Sequence, residues 1–298
     1  MIVPRPGDDQ SDVAWSRRLA RLAAGQHGIL SDEKLLGSPF DAYAQAHPRA
    51  GLMRKALGGR EFQVIVYTRP QPEWLASVYL QGVQQGRLDQ PEEFWARVAD
   101  APLLQWSAMV DLLEQESGAA RVVVRAYGGD RDVVADFSNL CGFKVNVTRP
   151  AIRDNVSIAA IQAPLLLALN SDPSLTTENR NQLRHVFQNV LRPGAPMGWS
   201  AFPAPVVQAI RDCTHADWAR LTARVAATDP AEGERFARLD QVWRQPLLPF
   251  PGTGLEGPGA REEMIRSLAV LANATTLPQR SLVSRLGRRL RAFARRSG

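Results

Sequence analysis

The sequence predicts an α/β fold: a parallel sheet with helical crossovers, followed by a helical C-terminal half. Two short apolar runs rich in β-branched residues, 62–67 and 121–126, predict strands. The segment between them has helical periodicity, and strands joined through helices form parallel sheets. After residue 155 the apolar positions recur only with helical spacing, which predicts helices alone.

The individual helices are predicted from apolar spacing and from the residues that begin and end them. Pro72 fits a first helical turn, where the missing N–H costs nothing, and Gly86 is a typical stop. Asp130 is a suitable cap for the helix that follows the second strand, and Gly142 ends it. The other predicted helices are 13–24, 91–99, 102–117, 157–170, 176–191, 204–213, 215–227 and 231–243.

Composition divides the chain into a body, a linker and a tail. Residues 246–260 contain four prolines and four glycines, which predicts a linker between a domain at 1–245 and a tail at 261–298. The tail is expected to be helical or partly disordered. Its apolar residues and arginines fall on opposite sides of a helix, so weak contact with an anionic membrane surface is one expectation, and a solvated extension is the other.

The net charge of +6 arises from the tail. Seven arginines and no acidic residue follow residue 279, and removing them leaves −1 for the rest of the chain. The near-neutral body argues against nucleic-acid binding. Two cysteines, Cys141 and Cys213, are too few for a disulfide framework or a four-cysteine zinc site. With neither a signal pattern nor an apolar run of ~18 residues, a cytoplasmic protein is expected.

The strongest local pattern lies where the first predicted strand meets the next helix. Arg69 follows the strand, and Ser77 comes eight residues later in the helix. A helix N-terminus offers N–H groups and a positive dipole end to an anion, and arginine has donors that match phosphate oxygens. Arg69 and Ser77 are therefore candidates to bind one phosphate. The spacing leaves open an arginine paired with an acid and an ordinary helical serine.

This pattern resembles the 3′-phosphate-binding segment of sulfotransferases that use 3′-phosphoadenosine 5′-phosphosulfate, and Tyr79 also fits it. Three further segments resemble bacterial and polysaccharide-type members, in the family's order and approximate spacing: GILSDEKL (28–35), ADFSNLCGF (135–143) and RDNVSIAAIQAPLLLALN (153–170). The resemblance covers roughly residues 11–170. It implies a P-loop-NTPase-like sulfotransferase fold, that nucleotide as co-substrate, and sulfuryl transfer to a hydroxyl or amine of a carbohydrate or small molecule.

The chain departs from the family at the loop that binds the 5′-phosphosulfate. Sulfotransferases open with a strand and a loop resembling K-T-G-T-T, whose lysine and N–H groups hold that group. The three lysines, Lys34, Lys55 and Lys144, have no such surroundings. We therefore expect a family member truncated at its N-terminus and inactive as it stands. Two explanations for the missing strand and loop remain open: a shortened gene and a misplaced start codon.

The resemblance also implies a candidate catalytic residue, Glu33. In some relatives a glutamate after the second strand deprotonates the acceptor. A local interpretation is that Ser31 caps a helix and that Asp32 and Glu33 favour its first turn. The four histidines have no metal spacing, so no metal is expected.

Two other classes of function remain as alternatives. The first is a non-catalytic nucleotide-binding or interaction remnant of the same fold. The second is a nucleotide-sugar glycosyltransferase, which ranks lower because such enzymes commonly use an Asp-x-Asp metal site and none is expected here.

Overall fold

The computed structural model describes residues 17, 19–20, 28–31, 35–128, 131–143, 163–171, 176 and 201–243. This part of the chain is mixed α/β and mostly helical. Its longer elements are α1 (Ala46–Leu57), β1 (Gln63–Thr68), α2 (Gln71–Gln84), α3 (Pro91–Val98), α4 (Trp106–Glu116), β2 (Arg121–Ala126), α5 (Val133–Leu140), α6 (Ala163–Asn170), α7 (Ala204–Thr228) and α8 (Pro230–Leu239). Short 3-10 helices occur at Pro39–Asp41, Pro102–Leu104 and Asp240–Trp243.

The two strands of the described residues pair in parallel, from Gln63 opposite Arg121 to Thr68 opposite Ala126. Helices α2, α3 and α4 lie between them in sequence, so the predicted helical crossover is confirmed. A parallel strand pair with helices is common to many α/β folds. The sulfotransferase fold therefore remains a prediction.

The chain clusters into two compact units, and the first contains the sheet. It comprises the chain up to Gln71, together with Arg97–Phe137 and Asp212–Trp243. Its central helix is α4, which contacts both α1 and β2 and buries Trp106, Met109 and Leu113, among others. Helix α8 also packs against β2. Burial of these apolar faces is the main force that stabilises the unit.

The second unit comprises Pro72–Ala96, Ser138–Arg211 and the chain from Arg244 onward. Its core contains three aromatic rings: the Tyr79 centroid lies 5.3 Å from that of Phe202, which lies 6.0 Å from that of Phe94. The buried Asn170 amide donates to the carbonyl oxygens of Val83 (2.9 Å) and Arg87 (3.2 Å). The Val83 carbonyl also accepts from the backbone N–H of Gly86 at 3.0 Å, so the Asn170 amide is its second donor, and the same amide provides a donor for the Arg87 carbonyl beyond the end of α2.

Three sequence predictions differ from the structure in detail. The helices predicted at 204–213 and 215–227 form one helix, α7, because no glycine or proline interrupts the chain at Thr214, which is fully buried. The helix predicted at 231–243 is α8 followed by a 3-10 turn. Residues 28–31, which resemble a family strand, form no strand, and Ile29 is 51% exposed.

Several predictions fall on residues that the structure does not describe. These include Glu33, the linker at 246–260, the tail at 261–298 and most of the helix at 176–191. Among the helices that are described, none combines the length and apolar character needed to cross a membrane.

Helices α7 and α8 approach closely at one glycine, which gives the first testable prediction. A Cβ on Gly233 would lie 2.4 Å from the Cβ and 2.6 Å from the Cα of Ala226. Gly233→Ala should therefore lower the free energy of unfolding by about 1–3 kcal/mol, because the tight contact outweighs the higher helix propensity of alanine. Urea unfolding measures the change.

The matched control is Gly51→Ala inside α1, where a Cβ would meet nothing within 4 Å. That variant should be more stable by about 0.5–1 kcal/mol, since alanine is the better helix former. Equal effects of the two substitutions would contradict the proposed helix contact.

Candidate functional site

The backbone between β1 and α2 is held on both sides by hydrogen bonds within the first unit. Arg69 directly follows β1, and its carbonyl oxygen accepts a bond from the indole Nε1 of Trp106 at 2.8 Å. The preceding carbonyl, that of Thr68, accepts from the backbone N–H of Tyr127 at 2.6 Å. These bonds fix the place where the Arg69 side chain leaves the strand.

The buried carboxylate of Asp217, on α7, organises this region. Its Oδ2 accepts from the backbone N–H of Trp106 at 2.6 Å and from the Gln71 side-chain amide at 2.9 Å. Its Oδ1 accepts from the backbone N–H of Ser107 at 3.1 Å. A negative charge at a helix N-terminus is stabilised by the free N–H groups and the helix dipole. Asp217 therefore caps α4, whose own N-cap residue, Gln105, makes no side-chain cap.

Arg220 completes the set of donors around Asp217. Its guanidinium donates to Asp217 Oδ1 at 3.0 Å and to the hydroxyl oxygen of Ser107 at 3.1 Å. The Asp217 side chain is 1% exposed, whereas that of Arg220 is 66% exposed. A buried charge is tolerated only when it is paired and hydrogen-bonded, and this carboxylate is both.

A second group of charged side chains surrounds the carboxyl end of β2. We call it the ion cluster, and it consists of Arg125, Arg131, Asp136, Asp229 and Glu232. Arg125 bonds Asp136 at 2.8 Å and Asp229 at 2.9 Å. Arg131 bonds Asp136 at 2.9 Å and also pairs with Glu232. Three carboxylates thus surround two guanidinium groups, so the five side chains together carry no net positive charge.

Glu232 links the ion cluster to the sheet. Its side chain is 2% exposed, and its Oε1 accepts a 2.6 Å bond from the backbone N–H of Ala126 at the end of β2. This bond satisfies a backbone donor of the strand and joins α8 to the sheet. Asp229 caps α8 by accepting from the Glu232 backbone N–H at 3.0 Å.

The titration of Asp136 reflects its place in the cluster. Burial alone would raise its pKa, but hydrogen bonds from Arg125 and Tyr67 and the nearby positive charges lower the pKa below the usual value. The Tyr67 hydroxyl donates to Asp136 at 2.7 Å. Burial, that bond and the negative charge of Asp136 together raise the pKa of Tyr67. These shifts favour the ionised carboxylate of Asp136 and the protonated hydroxyl of Tyr67.

The predicted phosphate ligands, Arg69 and Ser77, lie in different units. The Arg69 guanidinium carbon is 5.1 Å from the ring centroid of Tyr127, in the first unit. Ser77 is a half-buried residue of α2, in the second unit. Their convergence on one phosphate stays a prediction.

Tyr79, which fits the family pattern, is 2% exposed and packs against Phe94 and Phe202. Burial, followed by the nearby negative charges of Glu92, Asp89 and Glu93, raises the pKa of its hydroxyl. Its position shows a packing role within the second unit.

The remaining candidate residues show no further site among the described residues. Lys55 lies in the last turn of α1, so no phosphate-binding loop surrounds it. Cys141 and Cys213 are free thiols. No group of three or more His, Cys, Asp or Glu residues that could hold a metal occurs in the described part of the chain.

One sequence expectation is wrong: the chain does contain an Asp-x-Asp triplet, Asp130–Asp132. Asp132 Oδ1 accepts bonds from the backbone N–H groups of Val134 (3.1 Å) and Ala135 (3.2 Å), which is helix capping of α5. Arg131, between the two aspartates, belongs to the ion cluster. Asp130 lies outside the described residues. The contacts of the triplet that the structure shows are therefore structural.

Sequence reasoning missed Asp217 and the ion cluster. The local sequence does contain a signal for the cap of α8, since Asp229-Pro230 followed by Glu232 is a typical helix start. Asp217 has no such signal, because Trp106 and Gln71 lie more than a hundred residues away along the chain.

The role of Asp217 gives a stability prediction. Asp217→Ala leaves two backbone N–H groups of α4 and the Gln71 amide without their acceptor. The free energy of unfolding should fall by about 3–5 kcal/mol, as measured by urea unfolding. Asp212→Ala, an exposed position on the same helix, should cost about 1 kcal/mol or less. Similar losses in both variants would refute the capping role.

The lowered pKa of Asp136 predicts a dependence of stability on pH. A carboxyl whose pKa is lower in the folded state stabilises the fold above its unfolded pKa, near 3.8, and loses that contribution as pH falls through the folded value. The difference in unfolding free energy between the wild type and Asp136→Asn should thus be constant from pH 7 to 5 and shrink below about pH 4. A difference that grows on acidification would show the assignment to be wrong.

The comparisons with known proteins give no match. No family model matches the chain, and neither a curated protein nor a solved structure does. The functional argument therefore depends on the sequence motifs and on the geometry of the described residues.

Proposed function

We propose that this protein is of the sulfotransferase type and binds a 3′-phosphoadenosine nucleotide at the carboxyl end of its parallel strands. Arg69 and Ser77 would contact the 3′-phosphate. In sulfotransferases the bound nucleotide, 3′-phosphoadenosine 5′-phosphosulfate, donates a sulfuryl group to a hydroxyl or amine.

The principal support is the position of Arg69. It lies at the carboxyl end of a parallel strand, two residues before the first residue of α2. Ligands of open parallel sheets bind outside the carboxyl ends of the strands, where helix N-termini offer N–H groups. Arginine adds a fork of donors suited to phosphate oxygens.

Two other arginines near this edge, Arg125 and Arg131, are not candidates for the phosphate ligand. Arg125 and Arg131 are held by Asp136, Asp229 and Glu232, so these side chains supply no net positive charge. An anion that approached the ion cluster would meet three carboxylates. The proposal therefore assigns no ligand role to Arg125 or Arg131.

We expect binding without efficient sulfuryl transfer. Transfer depends on donors placed around the moving group, and one preorganised donor is worth about 2.7–4 kcal/mol in the transition state. Lys55, in the last turn of α1, has no loop of that kind around it. A protein that binds the nucleotide and transfers no sulfate would fit the non-catalytic alternative within the same fold.

The proposal is tested by titrating the purified protein with adenosine 3′,5′-bisphosphate in a calorimeter. Arg69→Ala should weaken binding by roughly 10- to 100-fold, because a charged hydrogen bond to phosphate is worth about 1.5–3 kcal/mol. Ser77→Ala should weaken it by roughly 2- to 10-fold. In the same preparation, transfer from radiolabelled 3′-phosphoadenosine 5′-phosphosulfate reports activity.

The matched control is Arg121→Ala, since Arg121 is exposed at the opposite, amino end of β2. This variant should bind as the wild type does. Lack of binding by the wild type, or preference for a nucleotide sugar, would overturn the proposal. Equal losses in Arg69→Ala and Arg121→Ala would show only general charge attraction.

A further inference from the structure

We infer that Trp106 is a positioning residue of the proposed phosphate site: its indole N–H holds the backbone from which the Arg69 side chain extends. The inference rests on the proposed function and adds a residue to it. The observation behind it is the 2.8 Å hydrogen bond from the indole Nε1 of Trp106 to the carbonyl oxygen of Arg69. Only the backbone of Arg69 takes part in this bond, so the bond is independent of the contacts that the guanidinium makes.

The bonded carbonyl lies in the short connection between β1 and α2. β1 ends at Thr68 and α2 begins at Gln71, so Arg69 and Pro70 alone form the connection. Proline has no N–H group, and a backbone carbonyl that is withdrawn from water needs a donor. The bond is partly buried, and Trp106 supplies its donor from 37 residues away along the chain. Helix α4 thereby helps to set the course of the backbone at the carboxyl end of β1.

Trp106 is itself held firmly, which makes its indole a rigid anchor. It is the first residue of α4, its backbone N–H donates to the Asp217 carboxylate at 2.6 Å, and the residue is 5% exposed. A buried tryptophan packs in a defined rotamer, and its N–H group usually has a partner. Arg69, Trp106 and Asp217 all belong to the first unit. Two hydrogen bonds through Trp106 therefore connect the buried carboxylate to the backbone of Arg69.

The anchor bears on ligand binding because the arginine side chain is long. A small rotation of the backbone at Arg69 moves the guanidinium by a larger distance, since this group lies at the far end of several rotatable bonds. Part of the binding free energy is then used to order a group that is out of place. Binding groups stay in productive geometry when neighbouring residues support them. The indole N–H of Trp106 therefore acts on nucleotide affinity through Arg69.

The experiment measures by calorimetry the affinity for adenosine 3′,5′-bisphosphate in Trp106→Phe, Arg69→Ala and the double variant Arg69→Ala/Trp106→Phe. Trp106→Phe keeps an aromatic ring in the core and removes the N–H donor, so it should weaken binding by about 2- to 10-fold. In the Arg69→Ala background the Phe substitution should have no further effect, because no guanidinium remains to be positioned. A merely structural role of Trp106 would weaken binding in both backgrounds.

A matched control and a second variant separate the hydrogen bond from packing. Leu113→Val removes a methylene group from a fully buried residue of the same helix, and it should bind within about 2-fold of the wild type. The second variant carries benzothienylalanine at position 106, where sulfur replaces the indole N–H and the shape of the ring system is kept. It should weaken binding as Trp106→Phe does, and it tests the bond even where Trp106→Phe fails to fold.

The outcomes separate this inference from the proposed function. A wild type that does not bind the nucleotide overturns both, and so does an Arg69→Ala variant that binds as the wild type does. If Arg69→Ala weakens binding while the benzothienylalanine variant does not, the positioning role alone is overturned. It is also overturned if Trp106→Phe weakens binding equally with and without Arg69, or if Leu113→Val weakens binding as much as Trp106→Phe.

Discussion

The geometry of the first unit depends on one buried carboxylate. Asp217 accepts hydrogen bonds from Gln71, Trp106 and Ser107, and thereby joins α7 to the N-terminus of α4 and to the residue that begins α2. A carboxylate with 1% exposure is stable only because these donors and Arg220 replace the water that it loses. These donors therefore hold the Gln71 side chain, the first turn of α4 and Asp217 together within the first unit.

The hydrogen bonds of Asp217 also help to hold the backbone at the carboxyl end of the sheet. The indole of Trp106, whose backbone Asp217 fixes, holds the carbonyl oxygen of Arg69. On the neighbouring strand, Glu232 satisfies the last backbone N–H of β2. The two strand ends are thus fixed by side chains from α4 and α8, and not only by each other.

Charge is distributed unevenly along this edge. The ion cluster places three carboxylates around Arg125 and Arg131, so these two arginines present little net positive field. The guanidinium carbon of Arg69 lies 5.1 Å from the centroid of the Tyr127 ring. The carboxylates of the ion cluster are the reason why Arg125 and Arg131 are given no role in the proposed anion site.

The sequence by itself determined the local structure: β2 at 121–126, β1 to within one residue, the start of α2 near Pro72, and the parallel crossover. These features follow from residue spacing and caps, which act over a few positions. The structure alone decided that Arg69 faces Tyr127 and that Asp217 caps α4. Such contacts join residues distant along the chain, and the side chains that make them have no local pattern, because their energy depends on burial and register that exist only after folding.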